Sequence, residues 1–229
     1  MFGYSNVIEF VIAILAILLA IILHELAHGY TALWMGDETA KVRGRLTLNP
    51  ASHFDPLGFL MLVFARFGYA RPVPINPNNF RHRKRGLFLV SIAGITLNLI
   101  LAFLSVGLYM LFVIMLKQAT SNFAINACYY SATFFLWFSI INVNLALFNV
   151  LPIYPLDGHN ILESITRPTN RVVKFVRAWG PYILFALFGI SMIVSAMRMP
   201  LYFDPLGTYL TYARNGIIDL FTKFWSLFV

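Results

Sequence analysis

Two histidines and a glutamate near the N-terminus have the residue types and the spacing of a metal-dependent hydrolytic site. His24 and His28 are four residues apart, so on a helix both imidazoles project from one face and can bind the same metal ion, typically zinc. Glu25 follows the first histidine, where its carboxylate can take a proton from water. The segment therefore predicts one zinc ion per chain beside a general base.

These three residues stand at the end of an apolar run, residues 7–23, that is long enough to enter a membrane. Ionisable side chains inside membrane segments are costly and are usually functional. The alternative is a helix end at which the histidines and the glutamate only meet lipid headgroups. The position within the run favours the functional interpretation.

The composition indicates a polytopic membrane protein. Of the 229 residues, 59% are hydrophobic and 11% are charged, whereas soluble domains have about 25% charged residues. The net charge of +8 could suggest nucleic acid, but the basic residues lie in loops between apolar spans, as in cytoplasmic loops of membrane proteins. We expect the lipid bilayer as a partner and no nucleic acid. Cys128 is the single cysteine, which excludes an intrachain disulfide.

The apolar spans predict an all-α membrane protein with about four transmembrane helices in one domain, residues 1–229. A first helix over residues 7–35 would be about 40 Å long, enough to cross the bilayer. Further spans are predicted at residues 87–116, 127–150 and 181–197. Residues 37–86 are rich in Lys and Arg, which places this segment and the site near the cytoplasmic side of a prokaryotic cell membrane, with the N-terminus outside.

Shorter elements are predicted between and after the spans. Partial alternation of apolar residues predicts a short membrane-associated β-strand within residues 41–48. Residues 59–64 are apolar but too short to span the bilayer, and the proline-rich run 71–77 cannot form a regular helix. Residues 171–179 predict a basic amphipathic helix. Residues 217–229 favour an interfacial helix over the alternative of a fifth full span.

Polar residues in and after the later spans are candidates for the rest of the site. Gly94 and Asn98 lie one turn apart on the second span, where spacing alone favours a helix-packing contact. Asp157 follows the third span at the depth of the histidines, and a catalytic zinc ion typically takes three protein ligands. The alternative for Asp157 is an Asp-Gly turn just outside the membrane. His159 and Glu163 are further candidate ligands.

Several motifs surround these positions in a fixed order. They are Gly36-Asp37-Glu38-Thr39-Ala40, Gly44-Arg45-Leu46-Thr47-Leu48-Asn49-Pro50, His53-Phe54-Asp55-Pro56-Leu57-Gly58, Ser91-Ile92-Ala93-Gly94-Ile95-Thr96-Leu97-Asn98 and Asn149-Val150-Leu151-Pro152-Ile153-Tyr154-Pro155-Leu156-Asp157-Gly158. Together with His24-Glu25-Leu26-Ala27-His28 they resemble the site-2 protease family of intramembrane zinc metalloproteases, peptidase family M50, in its compact branch without a PDZ domain. The resemblance covers a catalytic core of about residues 7–162 and leaves C-terminal helices at about residues 168–229.

This resemblance implies a zinc endopeptidase that hydrolyses peptide bonds in or near transmembrane segments of membrane proteins. The implied zinc ligands are His24, His28 and Asp157, and the implied catalytic residues are Glu25 and Asn98. Asn98 would hold the substrate carbonyl or the oxyanion. The resemblance also implies a small sheet beside the site, so we hypothesise that residues 41–48 offer a strand edge to an extended substrate. The alternative is a structural hairpin that caps the helix bundle.

Two other functions are compatible with the same residues. A zinc transporter or sensor would need further polar residues along the spans, where the sequence has a few asparagines and no second cluster of His and carboxylates. An inactive relative would bind membrane segments without cutting them, and the complete set of two His, one Glu and one Asp argues against it. The sequence predicts neither a particular substrate nor an oligomeric state.

Overall fold

Membrane-spanning helices dominate the structure, a computed structural model that describes residues 7–53, 55, 71–167 and 169–228. Four helices are long and apolar enough to cross a membrane: α1 (Val7–Trp34), α4 (Arg83–Gln118), α5 (Asn122–Asn149) and α7 (Arg171–Ala196). The other helices are α2 (Thr39–Val42), α3 (Pro50–His53), α6 (Asp157–Ile165) and α8 (Pro205–Trp225). The prediction of an all-α polytopic membrane protein with four spans is confirmed.

Helices α1, α4 and α5 pack against one another and form the centre of the molecule. Ala16 and Ala20 of α1 are fully buried against Phe138 and Ile141 of α5. Small residues at such a contact allow two membrane helices to approach closely, since the hydrophobic effect does not drive them together in lipid. Towards the start of α1, the Tyr129 hydroxyl of α5 donates to the Glu9 carboxylate, at 2.6 Å. These contacts set the register between the two helices.

The predicted strand at residues 41–48 is wrong. The chain forms the short helix α2, and Gly44 ends it in the left-handed conformation, with φ +63°. The Arg45 N–H donates to Ala40 O and the Gly44 N–H donates to Lys41 O, each at 2.9 Å, which is the hydrogen-bond pattern of a Schellman helix end. The alternation of apolar residues gave a wrong prediction because the segment starts inside helix α2. Gly44 ends that helix, and too few residues follow for a strand. None of residues 41–48 is in a β-strand.

The proline-rich run forms no regular α-helix, as predicted: residues 71–76 have no regular element, and the two prolines favour extended backbone there. The run leads into a 3₁₀ turn at Pro77–Asn79. The Arg71 N–H donates to His53 O at 3.0 Å, so the run returns to the end of α3. At its other end, the Arg81 N–H donates to Met35 O just after α1, at 2.9 Å. The run therefore lies beside the C-terminal part of α1. The predicted short apolar element at residues 59–64 lies outside the described residues.

The C-terminal third differs from the prediction in its boundaries. The predicted amphipathic helix 171–179 and the predicted span 181–197 are one continuous helix, α7, which contains Pro181. Proline is tolerated inside membrane helices because other groups can satisfy the backbone groups that it frees. The basic residues of 171–179 thus form the polar first turns of a spanning helix.

Asp204 is the N-cap residue of helix α8. Its carboxylate accepts from the Gly207 N–H at 2.8 Å and from the Ser191 hydroxyl at 2.7 Å. A side chain at Gly207 would lie 2.2 Å from that carboxylate, so Asp-Pro-Leu-Gly acts here as a helix-capping sequence. Farther along, the Trp225 indole N–H donates to Phe103 O at 2.8 Å, in the middle of α4. Helix α8 therefore packs on the sides of α4 and α5.

Candidate metal centre

Three side chains that sequence reasoning selected meet in one cluster. His24 Nε2 and His28 Nε2 are 2.9 Å apart, and they lie 3.3 Å and 3.2 Å from Asp157 Oδ2, respectively. Both histidines are buried and Asp157 is partly buried. Within the described residues this is the one group of three or more His, Cys, Asp or Glu that could hold a metal ion. The two motifs, far apart in the sequence, thus form a single cluster of two nitrogens and one oxygen.

Asp157 reaches the histidines because α6 starts directly against the end of α5. A Cβ atom at Gly158 would lie 2.2 Å from Val150 O and 2.4 Å from Leu151 O. No side chain fits there, so glycine permits this close approach of two backbones. Asp157 is the first residue of α6, and its side chain is directed at the last turns of α1.

The outer nitrogens of both rings are held by acceptors. His24 Nδ1 lies 2.9 Å from Asn98 Oδ1, and His28 Nδ1 lies 2.7 Å from Val90 O. A carbonyl oxygen only accepts, so each Nδ1 carries the hydrogen and each Nε2 presents its lone pair to the cluster. Such contacts on the far side of a ring are typical of metal-binding histidines.

This donor set fits a zinc ion. Two Nε2 lone pairs and an anionic oxygen face one another, and Asp157 Oδ2 is buried without a hydrogen-bond donor in the described part of the chain. Only a positive charge between them makes the arrangement favourable. The three ligand atoms lie 2.9, 3.2 and 3.3 Å from one another, close enough for one ion to contact all three.

Helix α4 comes very close to this cluster at Gly94. A Cβ atom there would lie 2.6 Å from both His24 Cε1 and His28 Nε2. The hydrogen atom of glycine therefore leaves the space that the two imidazoles occupy. Sequence spacing alone indicates only a general helix-packing role for Gly94, and in the structure its packing partner is the pair of histidines.

Glu25 lies beside the cluster and is partly exposed. Its Oε2 accepts a hydrogen bond of 2.7 Å from the backbone N–H of Val73, in the extended run 71–76. Sequence reasoning did not find Val73, because the contact uses a backbone group and leaves no mark on the residue type. The same is true of the Val90 carbonyl that orients His28.

Asn98 lies behind His24, on the side of the ring away from Asp157. Its side chain is fully buried, and its Nδ2 makes no hydrogen bond within the described residues. The contact with His24 gives Asn98 a role in orienting that ligand. Its participation in holding an oxyanion stays a prediction.

His159 and Glu163 are not part of the cluster. His159 is fully buried with its ring edge-on to Tyr154, and burial together with the charge of Arg177 lowers its pKa. Glu163 forms ion pairs with Arg83 of α4 and Arg177 of α7. Glu163 thus helps to join α6 to the neighbouring helices.

The chain is similar to known proteins along most of its length. Residues 12–193 match the model of the family described as Peptidase family M50. A Bacillus subtilis (strain 168) protein named "Putative zinc metalloprotease YwhC" is 36% identical over 218 residues, which are 93% of this chain and 92% of the relative. The Mycolicibacterium smegmatis protein named "Putative zinc metalloprotease Rip2" is 31% identical over 97% of this chain and 83% of the relative. No solved structure matches the chain significantly.

Replacing Gly94 by alanine should weaken metal binding without unfolding the protein. The new methyl group would displace the two imidazoles, and we expect the zinc affinity of purified protein to fall at least about tenfold. The matched control is Gly189→Ala in α7, where a Cβ atom meets nothing within 4 Å. Equal zinc affinities of the two variants, measured by competition with a chelator, would contradict the assigned geometry.

Proposed function

The chain belongs to peptidase family M50, and we propose that it is a zinc metalloendopeptidase that cleaves peptide bonds in or near transmembrane segments of membrane proteins. The observation that carries this proposal is the meeting of His24, His28 and Asp157 in one cluster, with Glu25 next to His24 along α1. These side chains come from the end of a membrane-spanning helix and from a helix that starts at the end of another. The chemistry is therefore available at membrane depth.

Each residue of the site would have a separate role in the reaction. His24, His28 and Asp157 would hold zinc, which supplies Lewis-acid chemistry by polarising a carbonyl and by lowering the pKa of water towards about 7. Glu25 accepts the proton of the attacking water and later donates it to the leaving amine. Asn98 and the Val90 carbonyl orient the two imidazoles. For Asn98 we also retain the proposal that it contributes to holding the oxyanion.

The position of the site suggests the class of substrate. Helix α1 carries the two histidines and α4 packs against them at Val90, Gly94 and Asn98, and hydrocarbon keeps soluble chains away from the sides of these spanning helices. A transmembrane segment is already in the bilayer and can reach the site laterally. Because a helical peptide bond is hydrogen-bonded internally, the segment must be locally extended before water can attack it. With no strand within residues 41–48, their proposed role as a strand edge is withdrawn.

The charge distribution gives a testable topology. Arg83, Lys84 and Arg85 begin α4 at the end of the bundle that holds the histidines, so the positive-inside rule puts this end in the cytoplasm. A tag at residue 1 should then lie outside and be removed by protease added to intact cells, while a tag between α4 and α5 marks the same side. Protection of both tags in intact cells, with cleavage after lysis, would reverse the orientation.

Zinc content tests the ligand set. Purified native protein should contain about one zinc ion per chain, and His24→Ala and Asp157→Ala should each lose it, because two protein ligands rarely suffice for a catalytic zinc ion. The control is His82→Ala, which removes an exposed histidine outside the cluster. Zinc content is measured by elemental analysis after dialysis. Undiminished zinc in Asp157→Ala would remove Asp157 from the site.

Substitution of the general base tests the reaction. Glu25→Gln keeps the size of the side chain but cannot accept the proton, so cleavage of reconstituted transmembrane segments should fall by about 10²-fold or more with zinc retained. The exposed Glu38→Gln serves as the matched control. Full cleavage by Glu25→Gln would exclude this role. Binding of segments without cleavage by the native protein would instead indicate a non-proteolytic relative.

A further inference from the structure

We propose that Asp37 is a positioning residue for Glu25, acting through the extended run 71–76. This inference rests on the proposed function, in which Glu25 is the general base. Asp37 does not touch the metal cluster or Glu25. It fixes the backbone segment whose Val73 N–H holds the Glu25 carboxylate.

Asp37 is buried, with 1% of its surface exposed, just after the end of α1. Its Oδ2 accepts from the Asn76 N–H at 2.7 Å. Its Oδ1 accepts from Asn79 Nδ2 at 2.8 Å, from the Thr39 N–H at 3.1 Å and from the Thr39 hydroxyl. One carboxylate therefore ties α2, the run 71–76 and the following turn together.

The run is also held on the other side of Val73. Arg45 Nη2 donates to Arg71 O at 2.8 Å and to Pro72 O at 3.2 Å. Val73 itself is buried, and its side chain packs over Gly29, where an added Cβ atom would lie 3.1 Å from Val73 Cγ1. The N–H of Val73 thus sits between two anchors, Arg45 and Asp37, and over the turn of α1 that follows Glu25.

The composition of the run makes this arrangement stiff. Pro72 and Pro74 restrict the backbone to extended conformations and contribute no N–H groups. The N–H of Val73 lies between these two prolines and donates to Glu25 Oε2. With Oε2 held in this way, the carboxylate is restricted in orientation, and Oε1 is the oxygen that this hydrogen bond leaves for the proton of the reacting water. A catalytic group that loses such a support becomes less precisely placed.

The anchor needs a carboxylate in particular. Donors approach both oxygens of Asp37, and an asparagine would turn its own N–H groups towards at least one of them. Burial raises the pKa of Asp37, but the hydrogen bonds from Thr39, Asn76 and Asn79 lower it below its usual value. The group is therefore charged throughout the neutral range, and the anchor is permanent there.

Hydrogen exchange tests the placement without any use of activity. Native protein, Asp37→Asn and the control Glu38→Gln are compared with zinc bound and after chelation, with exchange resolved to single residues. We expect the Val73 amide to exchange roughly tenfold faster or more in Asp37→Asn, because hydrogen bonds to charged groups are among the stronger ones. Glu38→Gln should match the native protein. Unchanged exchange at Val73 in Asp37→Asn would overturn the proposal.

A double-mutant cycle tests the route to Glu25. Val73→Pro removes the N–H that binds the carboxylate, so it should lower kcat by about ten- to a hundredfold with zinc content retained and KM little changed. If Asp37 acts through Val73, then Asp37→Asn lowers kcat in the native background and has no further effect in the Val73→Pro background. Equal losses in both backgrounds would show that Asp37 acts by another route.

The two measurements separate this inference from the proposed function. A native protein without peptidase activity, with fast Val73 exchange in Asp37→Asn, would refute the proposed function and leave the structural link between Asp37 and Glu25 in place. An active native protein in which Asp37→Asn changes neither exchange nor kcat would refute the inference alone.

Discussion

The rest of this structure depends on holding two imidazoles and a carboxylate close together inside a membrane-embedded helix bundle. Two imidazole lone pairs and a carboxylate oxygen face one another within 3.3 Å, in surroundings that screen charge poorly. Without a compensating cation such a cluster would be strongly unfavourable. The packing of α1, α4 and α6 keeps these groups together.

Backbone groups and glycines provide much of that support. The Val90 carbonyl orients His28, and glycines at positions 94 and 158 admit α4 and α6 to distances that a methyl group would forbid. Asn98 completes the support on the other ring. The supports come from the regular helices, which hold a site more precisely than loops do.

The described segments between α1 and α4 support Glu25. In residues 35–53 and 71–82 the regular structure is limited to short helical turns, yet Asp37 and Arg45 fix the run 71–76 over the last turns of α1. The carboxylate of Glu25 is bound by this run, whereas His24 and His28 are held by contacts with α4. The glutamate and the histidines are therefore held by different parts of the chain, so we expect mutations in the run to affect the placement of Glu25 without displacing the histidines.

Sequence alone determined the features that depend on local composition. The lengths of the apolar runs predicted the four spans, because the bilayer requires about 20 apolar residues per helix. The four-residue spacing of His24 and His28 predicted that both lie on one helix face. The same approach failed at residues 41–48, where apolar alternation outweighed the stop signal of Gly44. It also offered only a general packing role for Gly94.

Only the tertiary structure decided which groups meet across the chain. It brought Asp157 rather than His159 or Glu163 to the histidines, placed Asn98 behind His24, and joined Asp37 to Glu25 through Val73. Such contacts depend on the register between helices and on backbone N–H and C=O groups, which every residue type carries. Residue types record what a side chain can do, whereas the packing of the helices and of the run 71–76 determines which side chains come within a hydrogen bond of one another.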